Sequence, residues 1–122
     1  MKKIVIGGQV EKNQIASLVE KYAKGAFTWE VKTDLEAAMA IKNGEVDYYF
    51  GACNTGGGGA LAMAIALIGG DKCVSLGMPG TTFSAEQIKA SVDEGKIAFG
   101  FTPQDMDFII SNLMECLLNK EV

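Results

Sequence analysis

Four predicted helices of this chain each end at glycine, and a short apolar segment follows each of them. The glycines are Gly25, Gly44, the pair Gly69-Gly70 and Gly95. Glycine is common just after a helix because it readily adopts a left-handed backbone conformation. Strands separated by helices pair in parallel through right-handed crossovers. The pattern therefore predicts an α/β fold, a three-layer arrangement in which one open parallel sheet of about five strands has helices on both faces.

Further patterns place the strands and the helix starts. Strands are predicted at Lys2 to Gly7, Phe27 to Lys32, Val46 to Ala52, Lys72 to Leu76 and Lys96 to Phe101. A Ser or Thr three residues before Glu or Gln predicts capped helix starts at Thr33 and Ser84, and Thr102-Pro103 predicts a third. We expect the flavodoxin-like strand order 2-1-3-4-5 in a single α/β domain, residues 1–122.

Composition excludes several classes of protein. The chain has 122 residues, a net charge of -4 and 48% hydrophobic residues, which is typical of a globular domain. Its lysines are scattered, which argues against nucleic-acid binding. The longest apolar run, Ala60 to Ile68, is well below the roughly 18 residues that span a bilayer. The apolar segment within Met1 to Gly8 is too short for that of a signal peptide. We therefore expect a cytoplasmic protein that does not insert into a membrane.

Residue types that are missing also constrain the chemistry. The chain contains no histidine and no arginine, which excludes a Ser-His-Asp or Cys-His arrangement within one chain. Its three cysteines, Cys53, Cys73 and Cys116, lack the CxxC spacing of a zinc site and are odd in number. The dinucleotide spacing GxGxxG is absent as well. We predict no metal, no cofactor and reduced thiols.

A glycine-rich junction joins the third strand to an apolar helix. Four consecutive glycines let the backbone approach a ligand, and the first N–H groups of the helix lack partners within it. Such a terminus attracts anions. In the alternative interpretation, the glycines only allow the helix to pack closely on the sheet. The predicted ligand-binding residues of this junction are Asn54, Thr55, Gly56, Gly57, Gly58 and Gly59.

The expected strand order opens a crevice between the first and third strands, where the connecting helices leave in opposite directions. The loop after the first strand is also rich in glycine and would face the Cys53 loop. The loop after the fourth strand, with Thr102 beyond it, would lie further along the same sheet edge. Additional ligand-binding residues are therefore predicted at Gly7, Gly8, Gln9, Pro79, Gly80 and Thr81.

Several segments together resemble the YhfU-like proteins, a bacterial family of unknown function. They are Asp47-Tyr48-Tyr49-Phe50, Gly51-Ala52-Cys53-Asn54-Thr55-Gly56, Leu35-Glu36-Ala37-Ala38-Met39 and Gly95-Lys96-Ile97-Ala98-Phe99-Gly100. The resemblance covers nearly the whole chain and implies no established activity.

A more distant similarity links the loop to B-type ribose-5-phosphate isomerases, whose Cys-Gly-Thr-Gly loop also follows the third strand of a similar sheet. The similarity implies that Cys53 is a catalytic acid/base and that Thr55 to Gly58 stabilise an enediolate oxygen. Asn54 replaces the first glycine of that loop, and the histidines and arginines of those enzymes are absent.

Three functional classes remain open at this stage. The first is an isomerase-like enzyme that uses Cys53 on a sugar phosphate or small carboxylate. The second is a non-catalytic metabolite-binding or regulatory protein, and the third is a phosphocarrier-like component of a transporter. Cys53 is equally well interpreted as a small buried hydrophobic residue.

Two broad apolar helices indicate self-association. The helix that contains Ala60 to Ile68 has no polar side, and the helix after Phe108 has a wider apolar stripe than one core contact requires. We expect a homodimer or a larger homo-oligomer, with a small anionic metabolite as the other partner.

Overall fold

The computed structural model describes residues 1–55 and 57–121, over which strands and helices alternate. Two short 3-10 turns, at Gly70–Lys72 and Pro103–Asp105, lie between them. The elements are β1 Lys2–Gly8, α1 Lys12–Ala23, β2 Phe27–Val31, α2 Asp34–Lys42, β3 Tyr48–Ala52, α3 Gly57–Ile68, β4 Cys73–Ser75, β5 Gly77–Met78, β6 Thr81–Thr82, α4 Ala85–Asp93, β7 Ala98–Phe101 and α5 Met106–Glu121.

The main sheet has five parallel strands in the order β2-β1-β3-β7-β4. Helices α2 and α3 pack together on one face, and α1, α4 and α5 cover the other. The predicted α/β class, with an open parallel sheet between two helical layers, is confirmed.

The order of the last two sheet strands differs from the expected one. Counted along the chain, the five strands lie in the order 2-1-3-5-4, because β7 inserts between β3 and β4. All four residues of β7 are buried, whereas β4 has one buried and two half-buried residues. A fully apolar strand gains more from a central position than a half-buried one does. The crossover from β4 to β7 also reverses direction, which places α4 on the face of α1 and α5.

Strand residues alternate between two hydrophobic cores. In β3, Phe50 faces the core beneath α1, α4 and α5, whereas Tyr49 faces the core beneath α2 and α3. In β7, Phe99 and Phe101 belong to the first core and Ala98 to the second. This alternation determines which side chains can meet at the ends of the strands.

The two broad apolar helices have different explanations. Helix α5 lies between α1 and α4, and most of its apolar stripe is buried against them and the sheet. Its width is therefore explained within one chain. Helix α3 contacts α2 and the sheet but leaves Met63 38% and Ile65 43% exposed.

The predicted helix starts have two outcomes. Complete capping boxes begin α2 at Thr33 and α4 at Ser84, as predicted. The predicted cap at Thr102 is wrong, because its side chain makes no capping hydrogen bond.

Across residues 1–55 and 57–121, no helix combines the length and the apolar character needed to cross a membrane.

Candidate functional site at the end of strand β3

Cys53 lies immediately after β3, beneath the first turns of α3. Its backbone N–H donates to the Phe101 carbonyl oxygen at 3.2 Å, which links the ends of β3 and β7. The residue is 1% exposed. Its Sγ lies 3.2 Å from the Thr55 Oγ1. The thiol is therefore held beneath the turn that begins at Asn54.

The start of α3 stabilises the charged form of this sulfur. Burial works to raise the pKa of the Cys53 thiol. Hydrogen bonds from the hydroxyl and backbone N–H of Thr55 lower it, as do those from the N–H groups of Ala60 and Gly59. The net effect is a pKa below the ordinary value of a cysteine. The sulfur thus accepts hydrogen bonds that a side chain or a bound anion usually accepts at a helix N-terminus.

Gly59 makes this close approach possible. A Cβ at this position would lie 2.9 Å from Cys53 Sγ and 3.1 Å from Thr55 Oγ1. Any side chain would therefore separate α3 from the sulfur. This supports the close-packing interpretation for at least one of the four glycines.

Four of the remaining predicted residues of this junction belong to the described part of the chain. Asn54 and Thr55 form an exposed turn, and Gly57 and Gly58 begin α3. Gly56 lies outside the described residues.

The loop after β1 meets the end of β3, as the sequence predicted. Gly8 is paired with Ala52, and the Gln9 N–H donates to the Ala52 carbonyl oxygen at 2.9 Å. The Gly8 N–H donates to Asp34 Oδ1 at 3.3 Å. Gly7 continues the ladder opposite Gly51. The N–H groups of Gly8 and Gln9 are thus engaged within the protein.

The predicted residues Pro79, Gly80 and Thr81 lie elsewhere along the edge. Pro79 and Gly80 form the exposed turn of an antiparallel hairpin, β5–β6, and Thr81 begins β6, where the sequence indicated a loop. This hairpin is joined to the turn after β7, since Gln104 Nε2 donates to the Met78 carbonyl oxygen at 2.8 Å. Because β7 separates β4 from β3, the structure does not bring these three residues beside Cys53.

Sequence reasoning did not assign Tyr49 to the site. The Tyr49 hydroxyl lies 2.5 Å from Asp34 Oδ1 and 2.7 Å from the Ala60 carbonyl oxygen. Burial, followed by the hydrogen bond to Asp34 and its charge, raises the pKa of Tyr49. The glycine at position 7 is a sequence feature that indicates this role. A Cβ at Gly7 would lie 2.9 Å from Tyr49 Cε2, so that glycine is needed beside the tyrosine ring. Asp34 begins α2 and also connects β1 with β3.

Thr102 is a second residue that the sequence placed only at the sheet edge. It is 2% exposed, and its Oγ1 has no hydrogen-bond partner within the described part of the chain. Two pockets lie away from this site, in grooves beside α5. Among residues 1–55 and 57–121, no group of three or more His, Cys, Asp or Glu side chains is arranged to hold a metal ion.

Residues 2–117 match the family described as "Protein of unknown function DUF2620". The chain belongs to this family. It is also similar to "Uncharacterized protein YhfU" from Escherichia coli K12, E. coli O6:H1 and Shigella flexneri. Each is 42% identical over 117 residues, which cover 96% of this chain and 99% of the relative. The resemblance to YhfU-like proteins is thereby confirmed. No solved structure matches the chain.

Proposed function

We propose that this protein binds a small anionic metabolite at the N-terminus of α3 and that Cys53 acts there as an acid/base, in a reaction of the aldose-ketose isomerase type. The anionic group would lie at the Gly57 and Gly58 N–H groups. The reacting carbon would lie beside Cys53 Sγ. The resemblance of the loop to the isomerase Cys-x-Thr-Gly sequence agrees with this arrangement.

One observation carries the proposal. Cys53 Sγ lies 3.2 Å from Thr55 Oγ1, just before the start of α3. Burial works to raise the pKa of this thiol, but the hydroxyl and N–H of Thr55 and the N–H groups of Ala60 and Gly59 lower it below its ordinary value. A lowered pKa favours the thiolate form, and a thiolate can accept a proton from carbon.

The proposed reaction needs no oxidant or reductant. Thiolate Sγ takes a proton from the carbon next to a carbonyl, and the C–H electron pair forms the C=C bond of an enediolate. The carbonyl π electrons move to oxygen, where nearby N–H donors stabilise the charge. Return of the proton to the former carbonyl carbon, with transfer of one proton between the two oxygens, completes the isomerisation.

A second candidate function is non-catalytic binding of the same kind of metabolite. The 1% exposure of Cys53 favours it, since a sulfur that caps α3 has a structural role without any reaction. The two candidates predict the same ligand and differ only in the chemistry.

The ligand is sought first by thermal shift with inorganic phosphate, ribose 5-phosphate, dihydroxyacetone phosphate and pyruvate. A ligand at 100 times its dissociation constant stabilises the folded protein by about 2.7 kcal/mol. We expect at least one of these anions to raise the melting temperature. If none does, the anion site is excluded for this set of compounds, and the proposal fails.

Proton abstraction is then tested directly in D2O. With ribose 5-phosphate or dihydroxyacetone phosphate, the enzyme should introduce deuterium at the carbon next to the carbonyl, as detected by NMR. Cys53→Ser should abolish this exchange but retain the thermal shift. Cys73→Ser, which changes a buried cysteine in β4, is the matched control and should leave exchange intact. Binding without exchange in the unaltered protein would establish the non-catalytic alternative.

We also propose that the chain forms a homo-oligomer through the exposed apolar residues of α2 and α3. Leu35 and Met39 on α2 are 53% and 39% exposed, and Met63 and Ile65 add to the surface on α3. Exposed apolar side chains on two helices that pack together are typical of an interface. In sedimentation velocity, Met63→Lys should reduce the mass to that of the 12.9 kDa chain. Phe108→Lys, on α5, should not. A 12.9 kDa species for the unaltered protein would contradict the proposal.

We also propose that the protein is cytoplasmic, because the proposed chemistry needs a free thiol. Cys53 must remain a thiol to act as an acid/base, and the cytoplasm keeps thiols reduced. Cell fractionation with detection of the native chain tests this location, and recovery in the periplasmic fraction would contradict it.

A further inference from the structure

Thr102 follows β7 directly, as Cys53 follows β3. The register pairs Ala52 with Phe101, so that the next positions of the two parallel strands are Cys53 and Thr102. The hydrogen bond from the Cys53 N–H to the Phe101 carbonyl oxygen extends the pairing to this point. The two residues are therefore neighbours across the end of the sheet.

The side chain of Thr102 lies on the same face as that of Cys53, because the backbone at Thr102 is still extended, with φ -89° and ψ 158°, and the alternation of β7 continues through it. Ala98 faces the core beneath α2 and α3, and Phe99 and Phe101 face the opposite core. Position 102 then returns to the face of Ala98. Cys53 is on this face too, as its contact with Gly59 of α3 shows.

The hydroxyl of Thr102 is buried without a partner. The residue is 2% exposed, and its Oγ1 has no hydrogen-bond partner among the described residues. It lies at the start of the Pro103–Asp105 turn but does not cap it, although capping is the usual role of threonine in this position. An unpaired buried hydroxyl destabilises a folded protein, so that its presence here calls for an explanation.

We infer that Thr102 is a ligand-binding residue of the Cys53 site and that its hydroxyl binds an uncharged oxygen, a carbonyl or hydroxyl, of the metabolite. A hydroxyl both donates and accepts, which suits the two oxygens of a hydroxy-carbonyl compound. This inference rests on the proposed anion site and assigns its substrate class, namely a hydroxy-carbonyl compound that carries a separate anionic group. The binding site then lies across β3 and β7, beyond the crevice between β1 and β3.

The test compares Thr102→Val, which removes the hydroxyl from a side chain of nearly the same shape, with Thr102→Ser, which keeps it. Affinities are measured by calorimetry for inorganic phosphate, the anion alone, and for dihydroxyacetone phosphate and ribose 5-phosphate, which add hydroxyl and carbonyl oxygens. Thr102→Val should weaken binding of the two sugar phosphates about tenfold. Phosphate should bind equally to all three proteins, and Thr102→Ser should bind the sugar phosphates nearly as tightly as the unaltered protein.

A second readout distinguishes ligand binding from a structural role. Without ligand, Thr102→Val should melt at a higher temperature than the unaltered protein, because an unpaired buried hydroxyl has been replaced by a methyl group. A lower melting temperature, or unchanged affinity for both sugar phosphates, would overturn the inference alone. Failure of phosphate and of both sugar phosphates to bind the unaltered protein would overturn the proposed anion site and this inference together.

Discussion

The Tyr49 hydroxyl lies 2.5 Å from Asp34 Oδ1 and joins the centre of the sheet to the first turn of α2. The same hydroxyl lies 2.7 Å from the Ala60 carbonyl oxygen in α3, and Asp34 also accepts from the Gly8 N–H. One buried side chain thus connects β1, α2, β3 and α3 beside the candidate site. Its single proton is shared between two acceptors, both of which would lose a donor if the hydroxyl were removed.

Tyr49→Phe should lower the free energy of unfolding by about 1–3 kcal/mol, because it leaves the Ala60 carbonyl oxygen and Asp34 without this donor. Urea denaturation measures the change. The adjacent Tyr48→Phe is the control, since the Tyr48 hydroxyl donates to Glu121 Oε1 at 3.3 Å in a part-buried position. It should cost about 0.5–1 kcal/mol. Equal losses for the two variants would contradict a special role for Tyr49.

Gly8 should tolerate no side chain. It has φ +75°, and a Cβ would lie 2.6 Å from the backbone nitrogen of Ala52, which cannot move without disturbing the sheet. Gly8→Ala should therefore cost more than about 2 kcal/mol, since a backbone clash adds to the left-handed strain. Gly25→Ala is the matched control, with φ +77° and nothing within 4 Å. It should cost about 1–2 kcal/mol from the strain alone. If urea denaturation gives similar losses of unfolding free energy for the two variants, the clash with Ala52 adds nothing to the backbone strain.

Local signals predicted the helices and strands well, because capping and periodicity act over a few residues. Thr33 and Ser84 begin helices as predicted. The order of β4 and β7 could not be read in the same way, because it depends on which strand buries more surface in the assembled sheet. The hairpin around Gly80 was missed for a related reason, since strands of two residues show no detectable alternation.

The position of the site was more predictable than its composition. Glycines after β1 and β3 indicated where the two loops meet, and Gly8 does lie beside Ala52. Thr102 and Tyr49 were not identified as site residues, because their importance comes from burial and from partners distant in sequence. Pro79 was assigned to the site on the expected strand order and lies away from it, because β7 intervenes.

The contribution of Cys53 to stability should grow with pH. Burial works to raise its pKa, but hydrogen bonds led by Thr55 lower it below the usual value of 9.0. At a pH between the pKa of Cys53 in the folded protein and its pKa in the unfolded chain, the unfolded chain binds a proton that the folded chain lacks. The free energy of unfolding therefore rises with pH in this interval, and this gain is lost as the pH falls through the folded pKa. The difference in unfolding free energy between the unaltered protein and Cys53→Ala should therefore increase from pH 6 to pH 9.

Cys73 supplies a control of opposite sign. Burial raises the pKa of its thiol, and Lys96 partly offsets this. The contribution of Cys73 to the free energy of unfolding is fully present below the pKa of this thiol in the unfolded chain. It declines as the pH rises through the higher pKa of the folded protein. The difference between the unaltered protein and Cys73→Ala should therefore shrink above about pH 9. Urea denaturation across this range measures both differences, and a parallel trend for the two cysteines would contradict the stabilised thiolate at Cys53.

Gly59→Ala should weaken the interaction between the start of α3 and the Cys53 sulfur. The added Cβ would lie 2.9 Å from Cys53 Sγ, which must move away from the N–H groups at the start of the helix. The pKa of Cys53 should then rise toward its ordinary value. Thiolate absorbance near 240 nm, followed against pH in a Cys73→Ser, Cys116→Ser background, measures the shift.

The stability change separates this contact from helix propensity. Alanine is favoured over glycine within a helix by about 1 kcal/mol, whereas overpacking costs about 1–3 kcal/mol. Gly59→Ala should therefore give a net loss of up to about 2 kcal/mol together with the higher pKa. Gly70→Ala is the control, since its nearest contact would be Ile65 Cγ2 at 4.0 Å. Gly70→Ala should change the free energy of unfolding by no more than about 0.5 kcal/mol and should leave the thiolate titration unchanged. If Gly59→Ala leaves the titration unchanged, the start of α3 does not stabilise the Cys53 thiolate, and the basis of the proposed acid/base role is removed.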